Sequence, residues 1–246
     1  VVKFTGCDEQ QQEKKSLMAK SRSKRAKNDQ FPPESWYDPN CRECPRLARF
    51  LDITKTEFPD YFCAPVPSFG DPNARLLIVG LAPGKHGANA SGRPFTGDHA
   101  GGLLYETLHR YGLSSASVSI SNCDRLRLFD CRITNAVKCL PPENKPVAAE
   151  VNRCVRFLEP ELVSVPSGGV VLALGKLAHD AIVRVFGLAP SRMQFGHGAR
   201  HKLPGNRTLL SSYHCSRYNT QTRRLTVPMF RSVVRKAKAL SGAVTR

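Results

Sequence analysis

Four short apolar runs punctuate the chain, and each passes directly into a loop of small or polar residues. They are Arg75 to Gly80 (Arg-Leu-Leu-Ile-Val-Gly), Arg132 to Val137, Gly169 to Gly175 (Gly-Val-Val-Leu-Ala-Leu-Gly) and Thr208 to Tyr213. Continuous apolar runs of this length suit strands buried on both faces, as in parallel sheets. Between and after them lie segments with helical spacing: Leu103 to Tyr111, Val147 to Leu162 with Pro146 before it, Lys176 to Phe186, and Pro228 to Leu240. The alternation predicts an α/β fold, an open parallel sheet with helices on both faces. Such sheets bind ligands at the carboxyl ends of their strands. That directs attention to Gly80–Gly84, Asn135–Cys139, Gly175–Lys176 and His214–Asn219.

The 246 residues suffice for a substantial core, and 41% hydrophobic with 23% charged residues is a globular balance. No stretch approaches the roughly 20 apolar residues of a membrane span. Val1 to Gly6 is too short and polar for a signal-peptide core. These features exclude membrane, fibrous and wholly disordered classes. Residues 1–35, with a glutamine run at Gln10–Gln12 and a basic run over Lys20–Lys27, read as a basic, flexible extension. Residues 36–246 read as the folded domain.

The net charge is +17, and its distribution is uneven. No acidic residue follows Asp180, while residues 181–246 carry thirteen Lys and Arg. A basic field of this extent suits a polyanion, with nucleic acid the first candidate and plain solubility the bland one. Nine cysteines without an export signal point to a reducing, cytoplasmic setting with metal or cluster ligands rather than a disulfide framework. Cys41 and Cys44 form a C-x-x-C, and Cys139 and Cys154 follow at a distance. Four such thiolates suit a [4Fe–4S] cluster or a structural zinc. Buried apolar thiols are the plainer reading, and Cys7, Cys63, Cys123, Cys131 and Cys215 compete as ligands.

The loop after the first run is rich in glycine, yet lacks a Walker Lys-Ser/Thr and a dinucleotide fingerprint. In it, Phe95 and Asp98 can stack on and activate a ligand. Spacing alone favours a core Phe and an Asp capping the next helix. After the fourth run, His214 stands at a strand end. Arg217, Arg223 and Arg224 suit phosphates, and Tyr218 can stack or wedge into a duplex.

Several motifs occur in order: Gly80-Leu-Ala-Pro-Gly84, Gly92-Arg-Pro-Phe-Thr-Gly-Asp98, Ile133-Thr-Asn135, Lys138-Cys-Leu-Pro-Pro142, Phe195-Gly-His-Gly198 and Ser212-Tyr-His214-Cys-Ser. As an ordered set, spanning about Cys41 to Leu240, they resemble the family 5 uracil-DNA glycosylases. The resemblance implies a three-layer sandwich around a four-stranded parallel sheet. It implies a [4Fe–4S] cluster on Cys41, Cys44, Cys139 and Cys154, and hydrolysis of the glycosidic bond of uracil, hypoxanthine or xanthine in DNA by a nucleoid-associated monomer. Phe95 would stack on the extruded base and Asn135 would read its edge. Leu81, Ala82 and Gly84 would lend backbone contacts. His214 would aid departure of the base, Asp98 would position water or offset the cationic sugar, and Arg217 and Tyr218 would meet the duplex.

The chain departs from better-known uracil glycosylases in carrying Leu81 and Ala82 where those have an acid, which shifts the burden to Asp98. Gly84 stands where many family 5 members have Ala, and Cys215 where many have Pro. A non-catalytic iron–sulfur protein that binds DNA lesions and a Cys₄ zinc module are the alternatives from other classes.

Overall fold

The computed structural model describes residues 34–244. Of the expected basic arm, residues 1–35, all but the last two residues lie outside the described residues, Cys7 among them. A short 3-10 turn, Glu34–Trp36, leads to helix α1, Pro45–Glu57. Strands β1 (Phe69–Gly70) and β2 (Leu76–Gly80) follow, then helices α2 (Ala88–Ser91) and α3 (His99–Arg110) and strand β3 (Cys131–Asn135). Helix α4 (Ala148–Val163), strand β4 (Val170–Leu174) and helix α5 (Lys176–Val185) come next. Strands β5 (Arg200–Leu203) and β6 (Arg207–Ser212) and helices α6 (Arg217–Gln221) and α7 (Val227–Ser241) complete the order.

The four apolar runs form the parallel centre of the sheet, in the order β3-β2-β4-β6. The described sheet is wider than the four strands expected. β1 pairs antiparallel with β3 at one edge, and β5 pairs antiparallel with β6 at the other. Both additions escaped the sequence for physical reasons. β1 has only two residues, and β5 reads Arg-His-Lys-Leu, a polar edge strand with no apolar signal.

Side chains along a strand alternate between faces, and that alternation builds the layers. Leu76, Ile78, Ile133, Leu172 and Leu210 point to one side, where Leu104 and Leu108 of α3 and Phe230 and Val234 of α7 cover them. Leu77, Val79, Val171, Ala173 and Leu209 point to the other, against Leu158 and Leu162 of α4 and Ala178 and Ile182 of α5. The helix–sheet–helix sandwich follows. No helix among the described residues is long and apolar enough to cross a membrane.

One polar feature interrupts the second core layer. Glu161 of α4 is fully buried, and its Oε1 accepts hydrogen bonds from Lys138 Nζ and, at 2.9 Å, from Thr134 Oγ1. Arg132 lies beside it, donating to the Glu161 carbonyl at 2.9 Å and to Ser164 Oγ at 2.8 Å while its guanidinium rests on the Trp36 ring. Charges this deep are tolerated because they are paired, and removing one partner strands the other. Glu161→Ala is therefore expected to cost about 3–5 kcal/mol. Lys138→Met with Glu161→Leu, which leaves Arg132 as the one charge without its carboxylate instead of two, should cost less. Urea unfolding of the two variants compares them directly, and equal losses would refute the pairing argument.

Candidate active site

The carboxyl ends of β2, β3 and β6 open into a cavity of about 470 Å³. Its wall includes Leu81, Ala82 and Gly84 from the loop after β2, Asn135 from the end of β3, and His214 from just beyond β6. Phe95 and Asp98, from the loop before α3, close the same space. The sequence-predicted base-binding and catalytic residues thus come together, though they span more than a hundred positions.

Gly80 allows the assembly. It pairs in register with Asn135 across the β2–β3 ladder, and the backbones stay zipped beyond the strands through Ala136 N–H to Gly80 O and Val137 N–H to Leu81 O, both 2.9 Å. A Cβ on Gly80 would collide with Asn135 Oδ1 and stand 2.7 Å from Phe95 Cζ. Asn135 and Phe95 therefore approach one another across a missing side chain. Phe95 itself sits in the left-handed region at φ 55°, and its carbonyl oxygen occupies the space a side chain on Gly101 would need.

Asp98 performs the expected capping and also faces the cavity. It is the N-cap of α3, its Oδ1 accepting the Gly101 N–H at 2.7 Å. Its Oδ2 faces the loop after β2, where a Cβ on Gly84 would lie 3.5 Å away. His214 lies across from it. The His214 carbonyl accepts Asn219 Nδ2 at 2.8 Å, and its ring lies 5.9 Å from the Phe95 ring with the planes 27° apart. The imidazole is partly accessible through the cavity and enclosed by protein elsewhere. Burial pushes its pKa down, and the Asp98 carboxylate pulls against that shift. The two effects oppose one another, with burial the larger.

The four residues expected at DNA divide. Arg217, at the start of α6, lines the cavity mouth. Tyr218 is 70% exposed beside it, an aromatic ring offered to solvent. Arg223 is exposed and left-handed at φ 56°. Arg224 instead lies over the Tyr213 ring, 4.8 Å from its centroid. Several wall residues were not anticipated, Asn144 and His86 among them. Asn144 belongs to the turn Pro142–Asn144, where φ of 56° brings it to the cavity, and His86 is held by a 2.9 Å bond between its Nδ1 and the Tyr61 hydroxyl. The paired prolines at Pro141 and Pro142 were the available signal for that turn.

Cys44, Cys139 and Cys154 are buried in one apolar cluster with Leu47, Leu51 and Val137, and Cys41 is half-exposed nearby. Burial pushes the Cys139 thiol far up, and charge on Cys154, Cys41 or Cys44 would push it further. The four expected ligands therefore share one neighbourhood. Cys131 and Cys215 are packed into the core on the α3–α7 side of the sheet, away from it. Among the described residues, no group of three or more His, Cys, Asp or Glu converges as ligands of one metal ion.

The family model of the uracil DNA glycosylase superfamily matches residues 67–238, a span that includes every wall residue named above. The chain belongs to this superfamily. It is 50% identical over 207 residues to a type-5 uracil-DNA glycosylase of Thermus thermophilus, covering 82% of this chain and 94% of that one. It is 40% identical over 222 residues to the type-5 uracil-DNA glycosylase of Pyrobaculum aerophilum, covering 86% and 96%. A type-4 uracil-DNA glycosylase of Archaeoglobus fulgidus is 34% identical over 150 residues, 61% of each chain. Within the superfamily, the type-5 resemblance carried by the ordered motifs agrees with the first two of these relatives.

The opposed effects on His214 give a measurable order. Its NMR titration midpoint should fall below the ordinary histidine value of about 6.5. In Asp98→Asn it should fall further, because the carboxylate that favours the charged ring is gone. A midpoint that rises in the variant would contradict the pairing.

Proposed function

We propose that the protein is a monofunctional DNA glycosylase that hydrolyses the N-glycosidic bond of uracil, and of hypoxanthine and xanthine, in DNA. It thereby opens base-excision repair, working as a monomer at the nucleoid in the cytoplasm. The observation that carries this reading is the convergence of Asp98 and His214 on one cavity that also holds Phe95 and Asn135. The type-5 relatives favour it over a lesion binder without catalysis.

The sugar carbon is inaccessible within a duplex, so the nucleotide leaves the stack. Phe95 supplies a ring for the base to stack on, and the Asn135 amide offers a donor and an acceptor to its edge. As the glycosidic bond breaks, its electron pair stays with the base and charge gathers on a base carbonyl oxygen. A neutral His214 donates a hydrogen bond there, an electrostatic stabilisation of the departing group. The sugar becomes cationic, and the Asp98 carboxylate offsets that charge or orients the water whose oxygen bonds to the sugar carbon. Backbone groups of Leu81, Ala82 and Gly84 line the same wall. Arg217, Arg223 and Arg224 supply positive charge for phosphates, and Tyr218 an exposed ring for the duplex.

The shared neighbourhood of Cys41, Cys44, Cys139 and Cys154 suits a [4Fe–4S] cluster better than one metal ion, which needs its thiolates closer together. When bound, the cluster would tie α1, the β3 exit and α4 together. Hydrolysis needs no electron, so this is a structural role. Purified protein is expected to contain iron and acid-labile sulfide in equal amounts. Cys139→Ser should lose both and unfold at a lower temperature. Colourless, zinc-bearing and iron-free protein would favour the zinc module instead.

The capping role of Asp98 makes a clean catalytic test possible. Asn also caps well, so Asp98→Asn keeps the Gly101 bond while losing the charge. Single-turnover release of uracil should slow by about 10²–10⁴-fold in Asp98→Asn and in His214→Ala. The unfolding midpoint of Asp98→Asn should stay close to that of the parent protein. Full activity in both variants would remove the assigned roles, and no base release by the parent protein would restore the lesion-binding alternative.

A further inference from the structure

A second cavity, of about 240 Å³, adjoins the first and shares Leu81 and His214 with it. Asp98 and Asn135 line the first cavity and not this one. Its wall is mainly apolar and aromatic, with Phe195, Tyr213, Leu174 and Leu177. Leu177 is 55% exposed, an apolar side chain left uncovered on the first turn of α5. Arg224, lying over the Tyr213 ring, supplies positive charge at the same place, and Lys176 stands there paired with Asp180 at 2.6 Å. No carboxylate among the described residues lines it.

We infer that this slot receives the nucleobase adjoining the extruded nucleotide on the same strand, resting on the glycosylase reading of the neighbouring cavity. Three features select that occupant. The volume lies below the roughly 300–1,000 Å³ of sites for larger small molecules and suits a single planar base. Apolar walls with aromatic rings and a guanidinium are surfaces on which unstacked bases settle without sequence preference, whereas a phosphate would leave those walls unused. The shared residues Leu81 and His214 place the slot one step from the lesion cavity, within reach of the next nucleotide but not of a distant segment. Filling it removes the lesion's stacking neighbour, so the slot holds the strand open beside the reaction.

The test is a binding cycle on single-stranded oligonucleotides, which avoids the cost of opening a duplex. Each carries one 2′-fluoro-2′-deoxyuridine, a nucleotide whose glycosidic bond resists hydrolysis. The base on its 5′ or 3′ side is either present or replaced by an abasic tetrahydrofuran unit. Fluorescence anisotropy should show the parent protein losing about tenfold in affinity when one of the two flanking bases is removed, the size of one base–aromatic stack. Phe195→Ala should bind the intact oligonucleotide about tenfold more weakly and become insensitive to that removal. Non-additivity of this kind identifies a direct partner. Leu177→Ser, at an exposed position where folding is not at risk, should reduce the same sensitivity.

An undiminished penalty in both variants, or no penalty at either flank in the parent protein, overturns the inference. It is equally overturned if Phe195→Ala leaves the flanking penalty intact but weakens competition by free uracil, since the slot would then hold released base. Release of uracil from matched deoxyuridine oligonucleotides is measured separately. Its absence in the parent protein would sink the glycosylase reading, whereas release with a failed cycle would sink the slot alone.

Discussion

The in-register pairing of Gly80 with Asn135 at the end of the β2–β3 ladder is the constraint on which the site depends. Parallel strands put their carboxyl ends side by side, so two loops distant in sequence emerge together. At that place one residue lacks a side chain, and Phe95 and Asn135 fill the space it leaves. A ring and an amide reach the same cavity because the backbone of β2 stays out of their way. The core layers beneath exist to hold that edge in register. A one-residue slip would turn Leu76 and Ile78 to the wrong face and separate Gly80 from Asn135 at the same time.

Asp98 illustrates how a structural and a chemical role can occupy one side chain. The plain reading of its sequence position, an N-cap, is correct, and one carboxylate oxygen is committed to it. The cap fixes the side chain's rotamer, and the other oxygen is thereby held toward the loop that walls the cavity. A flexible surface carboxylate would have to be ordered on each encounter, at a cost in side-chain entropy. The reading that spacing favoured and the functional one are therefore complementary, because capping pre-orders the charge.

Much of this was legible in the chain. The parallel strands announced themselves because both of their faces are buried, leaving apolar runs with no alternation to confuse. The helices at 147–162 and 176–186 were legible from spacing and Pro146, and they match α4 and α5 within one residue at each end. Residues fixed by pairing or by turn geometry were not legible. β5 is a strand because β6 gives it a partner, and nothing in Arg-His-Lys-Leu requires that. Asn144 reaches the cavity through two successive left-handed residues, Glu143 and Asn144, a conformation that neither name dictates. His86 acquires its place from Tyr61, twenty-five positions earlier. Motif order singled out residues that meet at one cavity where local propensity could not, because motifs carry the tertiary outcome within them.

The buried pair of Lys138 and Glu161 connects the two halves of the molecule that motif reading treats separately. Lys138 lies three residues beyond Asn135 and immediately before Cys139, and its backbone stands beside the Cys154 thiol. Its ammonium reaches back to Glu161 on α4 and, through Thr134, to the last turn of β3 before Asn135. The same helix bears Cys154. One ion pair thus clamps the loop leaving β3 to α4, with the Asn135 amide on one side and the cysteine neighbourhood on the other. A hydrophobic pair could fill the volume, but it would not specify the depth at which Lys138 inserts. The same pairing anchors the exit of β3 against α4 between Asn135 and Cys139.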